Sequence, residues 1–491
     1  MMSGGVHRSG RGRYAARMLA ATCLGMAVVL SLFGIGAALA AEPWRGFSVA
    51  ALLAAAIAIP LLMHGRAGHE PTRREALATV IVTWLLVPVV GALPFTLDGP
   101  LGPLEALFES ASGFTTTGAT MLTDFSVVSE SLFLWRALTQ WIGGIGIIVL
   151  FIAAFPQLAV AGRQLFSAEA PGPESERFVP RLRHTAIAIL GLYGGLTVAA
   201  GVTYRAAGMS GFDAVAHALT TLSAGGFSPA ARSFEDYPAL LSWVALPFMA
   251  LAGANFALMY RAVAGRSLAL WRDPEFRTYL SVLTLGSLAL SALLVGHHGW
   301  LDGLRHGAFQ TLSLTTSTGY ASADFAGWSR AAQALLVIMM LIGGSAGSAA
   351  GGVKIVRWLI LARLAMREVR HTLQPRAVLP IRLGARIVPD TVVRSVAAFV
   401  TLYMALLAAS VALLVMLGAD ALTAFTASLA TLGNIGPGLA LVGPMASYAE
   451  FPPLAQGWLT IVMIAGRLEV VTVFVVFTRA WWRRPTRHAP R

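Results

Sequence analysis

The residues with most to offer chemically are four short glycine-centred phrases: FTTTGAT around Gly118, TLSAGGF around Gly225, TTSTGYA around Gly319 and LGNIGPG around Gly436. What they offer is backbone oxygen. A cation stripped of water needs oxygens in its place, and rings of backbone carbonyls supply them. Successive carbonyls turn toward one axis only at backbone angles that a β-carbon resists, and glycine removes that restriction. The residues placed at such a site are Thr116, Thr117 and Gly118; Ser223, Ala224 and Gly225; Ser317, Thr318 and Gly319; and Asn434, Ile435 and Gly436. The side chains of Thr116, Ser223, Ser317 and Asn434 either add oxygens at one end or brace the loops. One such phrase among 50 glycines would carry little weight. Four at corresponding places carry a great deal.

The elements around each phrase repeat as well. Each follows a short apolar helix-like stretch (103–114, 212–223, 301–316 and 419–432) and lies between two long apolar stretches. The glycines are 107, 94 and 117 residues apart. Repetition at this scale in an apolar chain points to pseudosymmetry around a shared site. The short stretches have too few residues to cross a bilayer core of about 30 Å, so they read as re-entrant half-helices. Irregular backbone at membrane depth survives only where protein buries it or where it lines a watery cavity. Each half-helix ends at its glycine phrase, and a helix C-terminus carries roughly half a negative charge, which favours a cation. The expected fold is an all-α integral membrane protein with four tandem helix–half-helix–loop–helix units around a pseudo-fourfold pore. The units cover 71–160, 180–265, 274–370 and 388–480, after an N-terminal transmembrane hairpin at 1–70.

Composition sets the same class: 56% hydrophobic residues, 12% charged and a mean hydropathy of +0.71. Ten stretches are apolar enough to span: 18–41, 47–64, 77–97, 132–155, 184–204, 239–260, 278–296, 331–362 with an interruption, 392–417 and 454–478. The first is longer than the core of a signal peptide, so it is expected as a retained helix. With both termini on one side, 29 basic residues fall on that side and six on the other. This is the positive-inside pattern, with cytoplasmic termini. The opposite face has 13 acidic residues, which draw a cation. Topology therefore accounts for the basic residues without nucleic acid. The single cysteine, Cys23, excludes disulfides and cysteine-based metal sites.

The chain resembles the Trk/Ktr/HKT superfamily of potassium transporters, most closely the bacterial TrkH/TrkG type. The matching stretches are SGFTTTGAT at 112–120, WRALTQWIGGIGIIVL at 135–150, AEAPGPESERFVPRLRHTA at 168–186, STGYA at 317–321, GNIGPG at 433–438 and AGRLEVVT at 465–472. The resemblance spans nearly the full length, including the extra hairpin. It implies potassium uptake across the bacterial inner membrane and a homodimer. A glycine in all four phrases implies potassium preference, whereas serine at the first position goes with sodium passage. It implies no cofactor in the chain beyond potassium as the bound and transported ion.

Two further features bear on control. The eighth stretch is interrupted by Gly343, Gly344, Ser345, Gly347, Ser348, Gly351 and Gly352, and each glycine costs a helix roughly 1 kcal/mol against alanine. Close helix packing through small residues is one reading. A loop that blocks the pore is the other, and the resemblance favours it; Ala349 and Ala350 depart from the family's GSTGGG pattern and imply a stiffer loop. Arg467 lies in an apolar stretch, where a charge is expensive and usually functional. The resemblance places it in the pore as an electrostatic obstacle; half of an ion pair with another helix is the alternative. On the cytoplasmic side, Lys354, Arg357, Arg363, Arg367 and Arg370 begin a basic run that suits anionic lipid. The resemblance adds docking of a TrkA-type nucleotide-binding regulatory ring there. The chain has no phosphate-binding glycine motif of its own. A proton- or sodium-coupled symporter remains the alternative mechanism; an HExxH motif is absent, and an enzyme is not expected.

Overall fold

The computed structural model describes residues 13–64, 72–154, 178–265 and 269–482. Most of the 168–186 match and the charges at both ends of the chain lie outside those residues. Two long apolar helices, Arg13–Leu39 and Arg45–His64, form the N-terminal hairpin. Trp135 ties it to the first repeat: its ring meets Phe33, Phe47 and Phe114 edge-on, and its Nε1 donates to the Gly91 carbonyl at 3.1 Å.

Each repeat opens with a helix: Arg73–Gly91, Phe178–Ala206, Pro274–His298 and Asp390–Met416. The half-helices follow as Pro103–Phe114, Gly211–Leu222, Trp300–Thr315 and Ala421–Leu432, within one or two residues of expectation. At 12 to 16 residues they reach about 18–24 Å, short of a bilayer core. Three of the four starts are capped by side chains. The Glu105 carboxylate accepts from Gly102 N, Ser210 Oγ from Asp213 N, and Asp420 Oδ1 from the Leu422 and Thr423 amides. These groups satisfy amides that have no helical partner, and the two carboxylates place negative charge at the positive end of the helix dipole.

All four half-helices end alike. The third residue past each end, Thr117, Gly225, Thr318 and Ile435, donates its amide back to the carbonyl of Ser112, Thr220, Ser313 and Ala430 at 2.8–2.9 Å. The residue before it takes a left-handed backbone: Thr116, Ala224, Ser317 and Asn434 have φ of 51–54°. This helix stop usually uses glycine there; none of the four does.

The closing segments pack tightly on the half-helices. A β-carbon at Gly143 would run into the carbonyl of Phe114, and one at Gly466 into that of Leu432, the last helical residues of their half-helices. Only the first closing segment, Glu130–Ala154, is one helix. The spans expected at 239–260 and 454–478 are broken instead: Ala239–Ala252 meets Phe256–Ala264 at 95°, and Pro453–Arg467 meets Val470–Val476 at 110°. The third stops at Ile342 and resumes at Ile355. At the first of these breaks Asn255 Oδ1 caps the new helix at Leu258 N, while Glu469 turns the last with φ 66°. Hydropathy did not reveal the two bends because both arms of each are apolar. Among the described residues, six helices are long and apolar enough to span, eight if each bent pair counts as one span. A two-residue antiparallel pairing, Arg382–Leu383 with Arg386–Ile387, sits between the third and fourth repeats.

The contact at Gly143 makes a stability prediction. Gly143→Ala should lower the melting temperature of the purified protein, overpacking costing about 1–3 kcal/mol. Gly25→Ala, where an added carbon meets nothing within 4 Å, should leave it unchanged. Equal melting curves for the two would mean that this helix contact yields freely.

Candidate ion-binding site

The four glycine loops close into a ring. A β-carbon on Gly118 would strike the carbonyl oxygen of Gly225; on Gly226, that of Thr318; on Gly319, that of Ile435; and on Gly436, that of Thr117. Each repeat thus leans its glycine on the next, and the fourth returns to the first. All four glycines have φ between 75° and 98°. Two constraints, angle and space, exclude a side chain at each. The carbonyls of Thr117, Gly225, Thr318 and Ile435 form one layer of this ring.

The ring shifts the second repeat by one residue. Alignment on the sequence set Gly225 opposite Gly118, but Gly226 is the residue with positive φ and the corresponding contact. Ser223 accordingly stands opposite Thr115, as the last residue of its half-helix turn, and its Oγ donates to the Leu219 and Thr220 carbonyls. Adjacent glycines made the choice invisible without a backbone. Of the other expected side chains, Ser317 Oγ accepts from Gly351 N at 2.7 Å, and Asn434 Nδ2 donates to Thr117 Oγ1 and the Met463 carbonyl. Thr116 Oγ1 and Asn434 Oδ1 are buried with no hydrogen-bond partner.

A vestibule opens above the ring, lined by Gly118, Gly226, Gly319, Gly436, Arg136 and Tyr448 among others. Tyr448 donates its hydroxyl to the Gly436 carbonyl at 2.8 Å. Arg136 and Glu109, two of the charges counted on the face opposite the termini, are a buried pair at 2.5 Å. Glu109 also accepts from Met121 N and Thr120 Oγ1, while Arg136 donates to the Ser228 carbonyl and stacks on Phe227. One pair therefore clamps the outgoing chains of repeats one and two. The half-helix PLEALFESASGF carries both Glu105 and Glu109, so its sequence does not single out the one that is paired. Gln140, within the WRALTQWIGG match, reaches across to repeat two: its Nε2 donates to the Gly225 carbonyl at 2.6 Å and its Oε1 accepts from Phe227 N at 3.1 Å.

Below the ring lies the loop 343–354. Gly351 approaches so closely that a β-carbon would overlap the Gly433 carbonyl. The broken helix of repeat two holds the loop: Ser345 N donates to the Gly253 carbonyl, Ala349 N to that of Ala252, and Phe256 N to the Gly347 carbonyl. Glu275 accepts from Ala346 N at 2.6 Å. Gly343, Gly347 and Gly352 take positive φ, and Gly344 lies where a side chain would meet Ala350. Ser348 Oγ donates to the Ser345 carbonyl.

Arg467 joins the loop to the first repeat. It is buried and donates to the Ala349 carbonyl at 2.9 Å and to the Gly143 carbonyl at 3.3 Å. Glu469 pairs with Arg357, whose guanidinium lies 3.7 Å from the centre of the Phe399 ring. Lys354 and Arg357, expected on the docking face, are both buried; their sequence neighbours Gly351 and Gly352 place them at the loop rather than at the surface. Arg367 bonds Asp390 and Glu368, and Arg370 is exposed. Among the described residues no group of His, Cys, Asp and Glu is arranged to hold a metal.

A family profile, TrkH: Cation transport protein, matches residues 47–482. The chain belongs to the TrkH family. It is 38% identical over 425 residues to the Trk system potassium uptake protein TrkH of Salmonella typhimurium, covering 84% of this chain and 87% of that one. It is 35% identical over 450 residues to the Trk system potassium uptake protein TrkH of Halomonas elongata, covering 90% and 93%. The crystal structure of the potassium transporter TrkH from Vibrio parahaemolyticus superposes with a TM-score of 0.87 at 30% identity, over 96% of this chain and all of that one. TrkH proteins transport cations and are not enzymes.

The clamp at Glu109 is open to test. Glu109→Ala leaves the Arg136 guanidinium buried without its carboxylate, at a cost of about 3–5 kcal/mol. The variant should melt far below the parent protein, and adding Arg136→Leu should recover part of the loss. A thermal melt that Glu109→Ala leaves untouched would show the pair to be dispensable.

Proposed function

We propose that this TrkH family member takes up potassium across the bacterial inner membrane, and that the glycine ring is its selectivity filter. One observation carries the reading: four left-handed glycines, each leaning on the next repeat's carbonyl, stack backbone oxygens around one axis at the C-termini of four half-helices. Backbone oxygens and helix C-termini suit a dehydrated cation. The relatives named for potassium uptake support the choice of ion. The filter residues are Thr116–Gly118, Ala224–Gly226, Ser317–Gly319 and Asn434–Gly436, within pore units 71–160, 180–265, 274–370 and 388–480.

The loop from Gly343 to Gly352 acts as the gate, and Arg467 is its latch as well as a fixed charge below the filter. Both termini face the cytoplasm, as the distribution of basic residues favours. The protein works as a homodimer with a TrkA-type nucleotide-binding ring; Arg363, Arg367 and Arg370, rather than the buried Lys354 and Arg357, are the basic residues left for that ring and for anionic lipid. Glu469, the deep carboxylate that a coupled symporter could protonate, is held by Arg357, which favours a channel-like path.

Uptake of rubidium and sodium in a host lacking its own potassium uptake tests the filter. Gly118→Ser should raise sodium passage relative to rubidium; an unchanged ratio at normal protein levels would remove Gly118 from the filter.

Flux into liposomes tests the gate. Deleting 345–350 should open the path without any partner. Arg467→Ala should raise flux about tenfold without changing selectivity, since hydrogen bonds from a charged donor contribute ~1.5–3 kcal/mol each. A folded deletion variant with unaltered flux would favour a packing role for the loop.

A further inference from the structure

The four carbonyls in the layer of Thr117, Gly225, Thr318 and Ile435 are not equivalent. Gln140, fully buried on the closing helix of repeat one, gives its amide hydrogen to the Gly225 carbonyl and takes one from Phe227 N. The two bonds fix which end of the amide is which. The side chain also lies between two loops: a β-carbon on Gly118 would come within 3.7 Å of its Nε2, and one on Gly225 within 2.5 Å of its Oε1. Repeat four offers no such group. Gly143 and Gly466 lie against the last helical carbonyls of their half-helices, so the residue three before each corresponds, and opposite Gln140 stands Met463.

We propose that Gln140 is a specificity-determining positioning residue, acting on the transported ion through the Gly225 carbonyl. This rests on the proposed reading of the ring as a filter. A carbonyl that already accepts an amide hydrogen is pinned in direction, and part of its negative charge is satisfied. A smaller cation binds well only if the surrounding oxygens move inward. Gln140 opposes that movement at Gly225, while its grip on Phe227 N stops the loop from sliding along the axis. Sodium therefore meets a ring that cannot close on it, and potassium a ring already at its size. The asymmetry is deliberate in the structural sense that the amide is buried with both ends satisfied, a state costly to build without use for its bonds.

The test uses the full-length protein in liposomes, measuring rubidium and sodium uptake separately, alongside thermal melting. Gln140→Met copies repeat four, while Gln140→Glu keeps the shape and the acceptor for Phe227 N but removes the hydrogen given to Gly225. Both should cut the rubidium-to-sodium ratio about threefold to tenfold, the range that one lost hydrogen bond allows. Folded variants with the parent ratio would overturn the proposal, as would loss of folded protein in both, which would make the amide purely structural. Gly118→Ser, run beside them, separates the two ideas. A ratio that moves with Gly118→Ser and not with the Gln140 variants sinks only the role of Gln140; a ratio that moves with none of them sinks the filter reading itself.

Discussion

The structure depends on one steric constraint: there is no room for a β-carbon where each repeat meets the next at the ring. Gly118, Gly226, Gly319 and Gly436 each occupy a place that a neighbour's carbonyl would otherwise share with a side chain. Contact this close fixes the depth of all four loops together, because moving one would open a gap on one side and a clash on the other. The half-helices must then stop at a common level. Their lengths, their caps and their tight packing on the closing segments at Gly143 and Gly466 follow from that requirement.

Holding the ring has a cost that is visible in the backbone. Thr116, Ala224, Ser317 and Asn434 take left-handed angles that cost non-glycine residues roughly 1–2 kcal/mol each. Strain of this kind persists only where surrounding structure over-determines it. Here the last turns of the half-helices are almost wholly buried, and each strained residue is followed by an amide that returns to its own helix. Ala224 shows that the side chain is not the reason for the conformation, since a methyl group can make no hydrogen bond there. The backbone angle itself, which directs the next carbonyl, is what all four repeats share.

Much of this was legible in the sequence, and the reasons it was legible are physical. Apolar stretches too short to span, followed each time by a glycine phrase, marked the half-helices to within one or two residues. What remained hidden had no one-dimensional signature. Gly225 and Gly226 are adjacent, and only the backbone angle and the contact with the Thr318 carbonyl tell them apart. The bends after Ala252 and Arg467 join apolar arms, so hydropathy runs straight through them. The basic residues Lys354 and Arg357 look like others near a membrane edge until Glu469 and Phe399 are seen around Arg357. Glu109 and Arg136 are 27 residues apart, and nothing local announces that they meet.

If the loop is the gate, as proposed, the same geometry has control act from below the ring rather than within it. Three closing segments break beneath the loops, and their free backbone groups are satisfied by one another: the carbonyls of Ala252 and Gly253 take amides of the loop 343–354, and Arg467 at the last break takes a carbonyl from that loop. Buried backbone groups must find partners somewhere. A loop that supplies partners to two other repeats can leave only if those groups are satisfied anew, by water entering the path or by the helices themselves. Opening and hydration are then one event. On the proposed reading, a ring locked by steric contact above and a loop held by exchangeable hydrogen bonds below would divide the labour between selection, which needs rigidity, and gating, which needs an alternative set of partners.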